Sequence, residues 1–201
     1  MYKTLIFDFD GTLADTIPTI VEEVKKEAKK RNIKVPPKKV WQTQSIYKTI
    51  KDAGISTIRS YFLYKKIKEE ISPKLTKCKM FKNLPVIIRK LQKKYTVIIV
   101  SSGTTDTITK ILEPYKLKIP IVTTNLNKVR ALKTISKSYE DCIHIGDEVR
   151  DIKAARKAKM HVASVTWGLN NKKSLTQEKP NLLFEKPKDI ENAMLFLGKH
   201  S

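Results

Sequence analysis

Apolar residues rich in β-branched side chains gather into short runs at Thr4–Phe9, Thr96–Val100, Ile119–Val122, Cys142–Ile145 and His161–Val165, with a weaker one at Asn181–Phe184. These runs are nearly continuous rather than alternating, the pattern of strands covered on both faces. Between them the spacing changes. Leu84, Ile87, Ile88 and Leu91 recur at three and four residues, as do Ile108, Ile111 and Leu112, and then Val129, Leu132 and Ile135. Strands alternating with amphipathic helices predict βαβ units and a mostly parallel sheet. In such sheets ligands bind beyond the carboxyl ends of the strands.

One stretch departs from this rhythm. From Thr16 to Met80 no buried strand is expected, only helical signal. Thr16 or Asp15 can cap a first helix with Pro18 in its first turn. Ile17, Ile20, Val21, Val24 and Ala28 form its apolar stripe, which ends near Asn32 and Pro36-Pro37. A second helix is expected over Ser45–Asp52, stopping at Gly54. A third runs from Thr57 to about Ile71, carries Ile58, Phe62 and Ile67, and stops before Pro73. The organisation expected is a core of residues 1–15 and 81–201 interrupted by a helical insertion, 16–80. Candidate hinges lie near Asp15 and Met80–Asn83.

Composition narrows the class. The chain has 201 residues, 40% apolar and 30% charged, enough for one domain with a small inserted partner. Disorder and low complexity are excluded, and no run approaches the ~18–20 apolar residues a membrane span needs. The opening MYKTLIFDFDGTL reads as a strand entering polar residues rather than a targeting segment. Two cysteines, Cys78 and Cys142, are too few for a disulfide framework. A reduced, cytoplasmic protein is expected, with no membrane association and no identifiable protein partner. Charge is the unusual quantity: 41 Lys and Arg against 20 Asp and Glu leave +21. Residues 16–80 alone carry 17 basic against 6 acidic residues. Such a field attracts anions, whether small phosphorylated metabolites or nucleic acid. Nucleic acid is the less favoured partner, because no recognition motif or aromatic–basic platform accompanies the charge. Trp41, Phe62 and Tyr64 read as packing residues, His144 as a core histidine and Cys142 as small apolar filler.

Chemistry gathers where the runs end. The first ends Asp8-Phe9-Asp10-Gly11-Thr12. In an extended segment Asp8 and Asp10 share a side, and two close carboxylates form either a proton-sharing pair or a metal site. Gly11 permits a sharp departure of the backbone. The run at Cys142 repeats the theme with Gly146-Asp147-Glu148-Val149-Arg150-Asp151, and Asp147 and Asp151 become neighbours if a helix starts there. Four carboxylates at one sheet edge call for a divalent cation, and hard oxygen ligands favour Mg²⁺. The second run ends Ser101-Ser102-Gly103-Thr104, a hydroxyl and free N–H groups at a helix start that can cradle a phosphate. Lys128, before a later helix, can neutralise a phosphate oxygen.

Together, DFDGT, Ser101 at a strand end, Lys128 after the next strand, and GDEVRD resemble the four motifs of the haloacid-dehalogenase-like superfamily. Val165-Thr166-Trp167-Gly168 is similar to the segment after the fourth motif in its phosphoglycolate phosphatase-like branch. The resemblance implies an α/β fold with a Rossmann-like parallel sheet core, helices on both faces and an inserted α-helical cap. It implies a Mg²⁺-dependent phosphatase acting on a small phosphorylated substrate. Asp8 would be the nucleophile that forms an aspartyl-phosphate, and Asp10 the general acid and then base. Mg²⁺ would be held by Asp8, the Asp10 backbone carbonyl and Asp147. Ser101, Ser102 and Lys128 would bind phosphate, Thr12 would support the first loop, and Asp151 would orient a metal-bound water or Lys128. A phosphomutase of the same family is one alternative, and the +21 charge suggests another, a nucleic-acid-end phosphatase or nucleic-acid-binding protein. The Pro-Gly pair and Lys-Pro motif common in the branch are replaced here by Met80-Phe81-Lys82-Asn83 and Lys128-Val129.

Overall fold

Every apolar run becomes a strand of one parallel sheet. A computed structural model of the protein describes residues 2–34, 37–43, 48, 57–124 and 127–197. The strands are β1 (Thr4–Phe7), β2 (Thr96–Ser101), β3 (Ile121–Thr123), β4 (Cys142–Gly146), β5 (His161–Val165) and β6 (Leu182–Phe184). Their spatial order is β3-β2-β1-β4-β5-β6, with every neighbouring pair parallel. β1 is therefore central, and the order reverses direction beside it, where α/β sheets open a crevice for ligands. The chain leaves β1 earlier than the apolar run suggests. Ladder pairing ends with the Asp8 N–H on the Ile145 carbonyl at 2.8 Å, so Phe9 belongs to the loop.

Period-two alternation divides the strand residues between the two faces. Leu5, Phe7, Val97, Ile99, Ile143 and Ile145 pack with helix α4 (Leu84–Leu91), helix α5 (Thr105–Leu112) and helix α9 (Pro187–Leu197). Ile6, Ile98, Val100 and Val162 face helix α6 (Lys128–Ser138), helix α7 (Val149–Lys157) and helix α8 (Lys172–Gln177). The apolar stripes of α4 and α5 are buried as their spacing predicts. The turn into α4 places Asn83 at φ +72°, a left-handed conformation that Asn adopts more readily than most residues. The protein is thus an α/β fold with helices on both faces of a parallel sheet.

The inserted segment carries helix α1 (Ile17–Lys30), the short helix α2 (Lys38–Trp41) and helix α3 (Thr57–Leu75). Val24, Trp41, Ile67, Ile71 and Leu75 form an apolar cluster that also takes in Leu169 from beyond β5. The helix expected over Ser45–Asp52 lies outside the described residues, apart from Lys48. α3 continues through Pro73 instead of stopping before it. The apolar series Ile67, Ile71, Leu75 recurs every four residues, and burial of Leu75 draws the last turn onward although Pro73 offers no N–H. Phe62 is not a packing residue: it is 62% exposed and meets the Tyr61 ring edge-on at 5.6 Å between centroids. Cys142 is only partly buried. α1 buries Glu23 and Glu27 beside Val24 and Ala28, because Lys74 pairs with Glu23, and Lys30 and Arg31 pair with Glu27.

Two chain segments connect these helices to the sheet and run antiparallel to each other. The Asp15 N–H donates to the Lys79 carbonyl at 2.9 Å, and the Phe81 N–H to the Leu13 carbonyl at 3.0 Å. No helix of the described residues is long and apolar enough to cross a membrane.

Candidate active site

The carboxyl ends of β1, β2 and β4 converge, and each delivers polar side chains the apolar core could not hold unpaired. Asp8, Asp147 and Asp151 are buried, and each offers one carboxylate oxygen within 4.8 Å of the others. Lys128 Nζ lies among them, 2.8 Å from Asp8 Oδ2 and 2.6 Å from Asp151 Oδ1. Lys128 is the first residue of α6, where the positive end of the helix dipole disfavours a cation. The two carboxylates offset that cost.

Asp147 is held by residues from distant stretches. Thr12 Oγ1 donates to its Oδ1 at 2.8 Å, and the Leu169 N–H to its Oδ2 at 2.7 Å. Two glycines leave it room. Gly11 sits at φ +75°, and a Cβ there would lie 2.4 Å from Asp147 Oδ2; a Cβ on Gly168 would lie 2.3 Å from the same atom. Asp151 starts α7 in a reciprocal capping box with Glu148, its Oδ2 accepting the Glu148 N–H at 3.0 Å.

Asp10 lies apart from the carboxylate cluster. Its Oδ1 accepts from Thr16 Oγ1 at 2.8 Å and its Oδ2 from Ser101 Oγ at 3.4 Å. Thr16 therefore spends its hydroxyl on Asp10 and does not cap α1 with its side chain. Ser101 Oγ also accepts the Gly103 N–H at 2.8 Å, and Thr104 caps α5 through Thr107 N–H at 3.3 Å. Ser102 faces α3, its Oγ 3.5 Å from the Tyr64 hydroxyl. Asp10, Ser102 and Gly103 open onto a cavity of about 80 Å³ beneath α1 and α3, which Lys68 and Arg150 also line.

The ionisation states follow from this packing. Burial first, then the charges of Glu148, Asp8 and Asp151, push Asp147 well above the ordinary carboxylate range. Burial and the Asp8 charge raise Asp10, against the hydrogen bond from Thr16. Burial pushes Glu148 up to about 7, with Arg150 opposing and Asp151 adding. Asp151 goes the other way: burial would raise it, but Lys128, His144 and Arg150 together outweigh burial and hold it low. Lys128 is raised by Asp151 and Asp8 despite its own burial. Two clustered carboxylates share one lysine while the third, Asp147, has no cationic side chain paired with it among the described residues. This all-oxygen, electron-rich set suits a hard divalent ion such as Mg²⁺.

Several contributors carried no readable sequence signal. Thr16 reads as a helix cap, and Glu148 and Arg150 stand within GDEVRD with no role of their own. His144, expected to be a satisfied core histidine, bonds the Ile6 carbonyl through Nδ1 at 3.0 Å and places Nε2 3.6 Å from Asp151. It packs behind the site as well as in the sheet. Asn170 is 1% exposed and reaches both Val149 and Trp41.

A parallel α/β sheet with carboxylates at the ends of its first and fourth strands and a lysine between them defines a class of hydrolase folds. Residues 5–165 match the haloacid dehalogenase-like hydrolase family, and the chain belongs to it. It is 26% identical to a phosphoglycolate phosphatase of Synechococcus elongatus, across 96% of this chain and 97% of the relative. It is 25% identical to the pyrophosphatase PpaX of Listeria welshimeri, across 93% and 94%. In fold it is similar to the crystal structure of a predicted phosphatase from Clostridium acetobutylicum, with TM-score 0.83, 20% identity and coverage of 97% and 99%.

Proposed function

We propose that the protein is a Mg²⁺-dependent phosphatase of small phosphorylated metabolites that works through a phosphoryl group carried on Asp8. The observation that carries this reading is the buried Asp8 carboxylate, paired with Lys128 at 2.8 Å and grouped with Asp147 at the sheet edge. Asp8, Asp147 and the Asp10 backbone carbonyl would hold the ion. When bound, it offsets the repulsion between an anionic nucleophile and an anionic phosphate. An Asp8 oxygen attacks phosphorus as the bond to the leaving oxygen breaks, and Asp10 gives that oxygen its proton. Burial and the Asp8 charge raise its pKa, which favours the protonated form this step needs. Water then attacks the aspartyl-phosphate phosphorus and passes its proton to Asp10. Phosphate leaves and the Asp8 carboxylate is restored. Lys128, Ser101 and the N–H groups after β2 bear on the charge of the transferring group.

Residues 16–80 serve as a cap over this edge, hinged where residues 13–15 pair with 79–81. Closure excludes water during transfer. Among the described residues Lys68 makes no ion pair, and burial lowers its pKa against the pull of Asp10. It is the cavity's choice of cation for a substrate anion.

A phosphate-ester panel with and without Mg²⁺ tests the proposal. Turnover that needs Mg²⁺ and frees inorganic phosphate is the expected result, and transfer of hexose 1-phosphate to 6-phosphate would mark a mutase instead. On the best ester, Lys68→Met raises KM about ten- to a hundredfold, as loss of one charged contact costs roughly 1.5–3 kcal/mol, with a smaller effect on kcat.

Metal removal supplies a second check. Mg²⁺ at 100 times its Kd stabilises the native state by about 2.7 kcal/mol. Binding requires unprotonated carboxylates, and Asp147 titrates above the ordinary range. The stabilisation is therefore full at high pH and fades as pH falls through that raised value. Thermal melts in Mg²⁺ and in chelator, repeated across pH, read this directly. Asp147→Asn removes the gain.

A further inference from the structure

Beyond β5, the chain passes through Trp167-Gly168-Leu169-Asn170-Asn171 before entering α8, and this short loop touches two things at once. On one side it holds Asp147. The Leu169 N–H donates to Asp147 Oδ2 at 2.7 Å, and the Asn170 N–H to the Asp147 carbonyl at 3.3 Å. Trp167 Nε1 donates at 3.1 Å to the carbonyl of Thr12, whose hydroxyl binds the other Asp147 oxygen. On the opposite side it holds the inserted helices. The Asn171 N–H donates to the Gln42 carbonyl at 3.0 Å, and Leu169 packs into the apolar cluster with Val24 and Trp41.

Asn170 is where the two sides meet. Its Oδ1 accepts the Val149 N–H, the first of α7, at 2.8 Å, while its Nδ2 donates to the Trp41 carbonyl at 3.4 Å. At 1% exposure it cannot exchange either partner for bulk water. One buried residue thus joins the end of α2 and the start of the helix bearing Asp151 through its side-chain amide, and the backbone of Asp147 through its own N–H. A shift of α2 away from the core strips the Trp41 and Gln42 carbonyl acceptors from this junction and loosens the loop that supplies Asp147 with its Leu169 N–H.

We propose that Asn170 is a positioning residue that ties the seating of the inserted helices to the Asp147 carboxylate, so that divalent-ion binding tightens when α2 is docked and weakens when it is not. The inference rests on the metal reading given above. It adds that residues holding no ion set the ion's affinity, in keeping with the 10–100-fold losses that follow removal of outer-sphere support. By linkage the coupling runs both ways: ion binding should favour the docked helices.

The chain's two tryptophans, Trp41 and Trp167, report the event, since both line one cavity at this junction. Mg²⁺ is titrated into metal-free protein, with heat and tryptophan emission recorded together. In the wild type, emission changes with the same midpoint as the heat. Asn170→Ala weakens Mg²⁺ about tenfold and abolishes or displaces the emission change, although every carboxylate remains. Leu169→Ala, which keeps the backbone N–H to Asp147 and removes only the apolar anchor, does the same and serves if Asn170→Ala does not fold. Folded variants that bind Mg²⁺ within twofold of wild type, with the emission change intact, overturn the coupling and leave the phosphatase reading standing. A wild-type protein that binds no Mg²⁺ overturns both.

Discussion

Asp8→Asn lowers turnover of p-nitrophenyl phosphate by at least about a thousandfold, the scale on which removal of a nucleophile acts. An amide keeps the shape of the carboxylate and still accepts a hydrogen bond, but it has no charged oxygen to form the bond to phosphorus. Asp8 Oδ1 accepts its neighbouring Phe9 N–H at 2.8 Å and Oδ2 faces Lys128, so an Asn in the same rotamer keeps its oxygen on one of these donors and turns its NH₂ group toward the other, a local cost that leaves the fold in place. The variant should therefore keep wild-type circular dichroism. Turnover near the wild-type level in a folded Asp8→Asn protein would remove the covalent mechanism, whatever the metal dependence.

Lys128→Met strikes harder at stability. The ammonium serves two buried carboxylates, Asp8 at 2.8 Å and Asp151 at 2.6 Å. With it gone, an apolar chain of similar length leaves three buried carboxylates facing one another. Breaking a buried pair by deleting one partner costs about 3–5 kcal/mol, against a total stability of roughly 5–15 kcal/mol for an ordinary domain. In chelator, urea unfolding of the variant should show a midpoint well below wild type with an unchanged slope. Mg²⁺ should return part of the loss, because an ion among the carboxylates supplies some of the missing positive charge, but phosphatase turnover should stay low. Equal midpoints in chelator would mean that the lysine is not the counter-charge of this cluster.

Much of the molecule is readable before any coordinates. Strands buried on both faces of a parallel sheet must be apolar at successive positions, so six short runs announce six strands, and helical spacing announces the layers that cover them. Strand ends in such sheets converge on one edge, which is why Asp8, Ser101, Lys128 and Asp147 could be gathered from four segments far apart in the chain. The misreadings have a common form. Thr16 is a sound helix cap by local chemistry, yet its hydroxyl goes to Asp10. Phe62 is apolar and helical, yet it sits on the outer side of α3. Pro73 is a helix breaker, yet burial of Leu75 carries the helix past it. Glu23 and Glu27 belong on a wet face until Lys74, Lys30 and Arg31 are known to stand beside them.

By itself the sequence determined the layers, the sheet and the acidic, lysine-bearing edge, because periodicity, glycine turns and the grouping of charge are local properties of the chain. Only the tertiary structure decided which groups share a partner: that Lys128 divides itself between Asp8 and Asp151, that two glycines make way for Asp147, and that Asn170 reaches from its backbone to the inserted helices. A hydrogen bond between residues far apart in the chain leaves no period to read; it exists only once packing has brought donor and acceptor within about 3 Å.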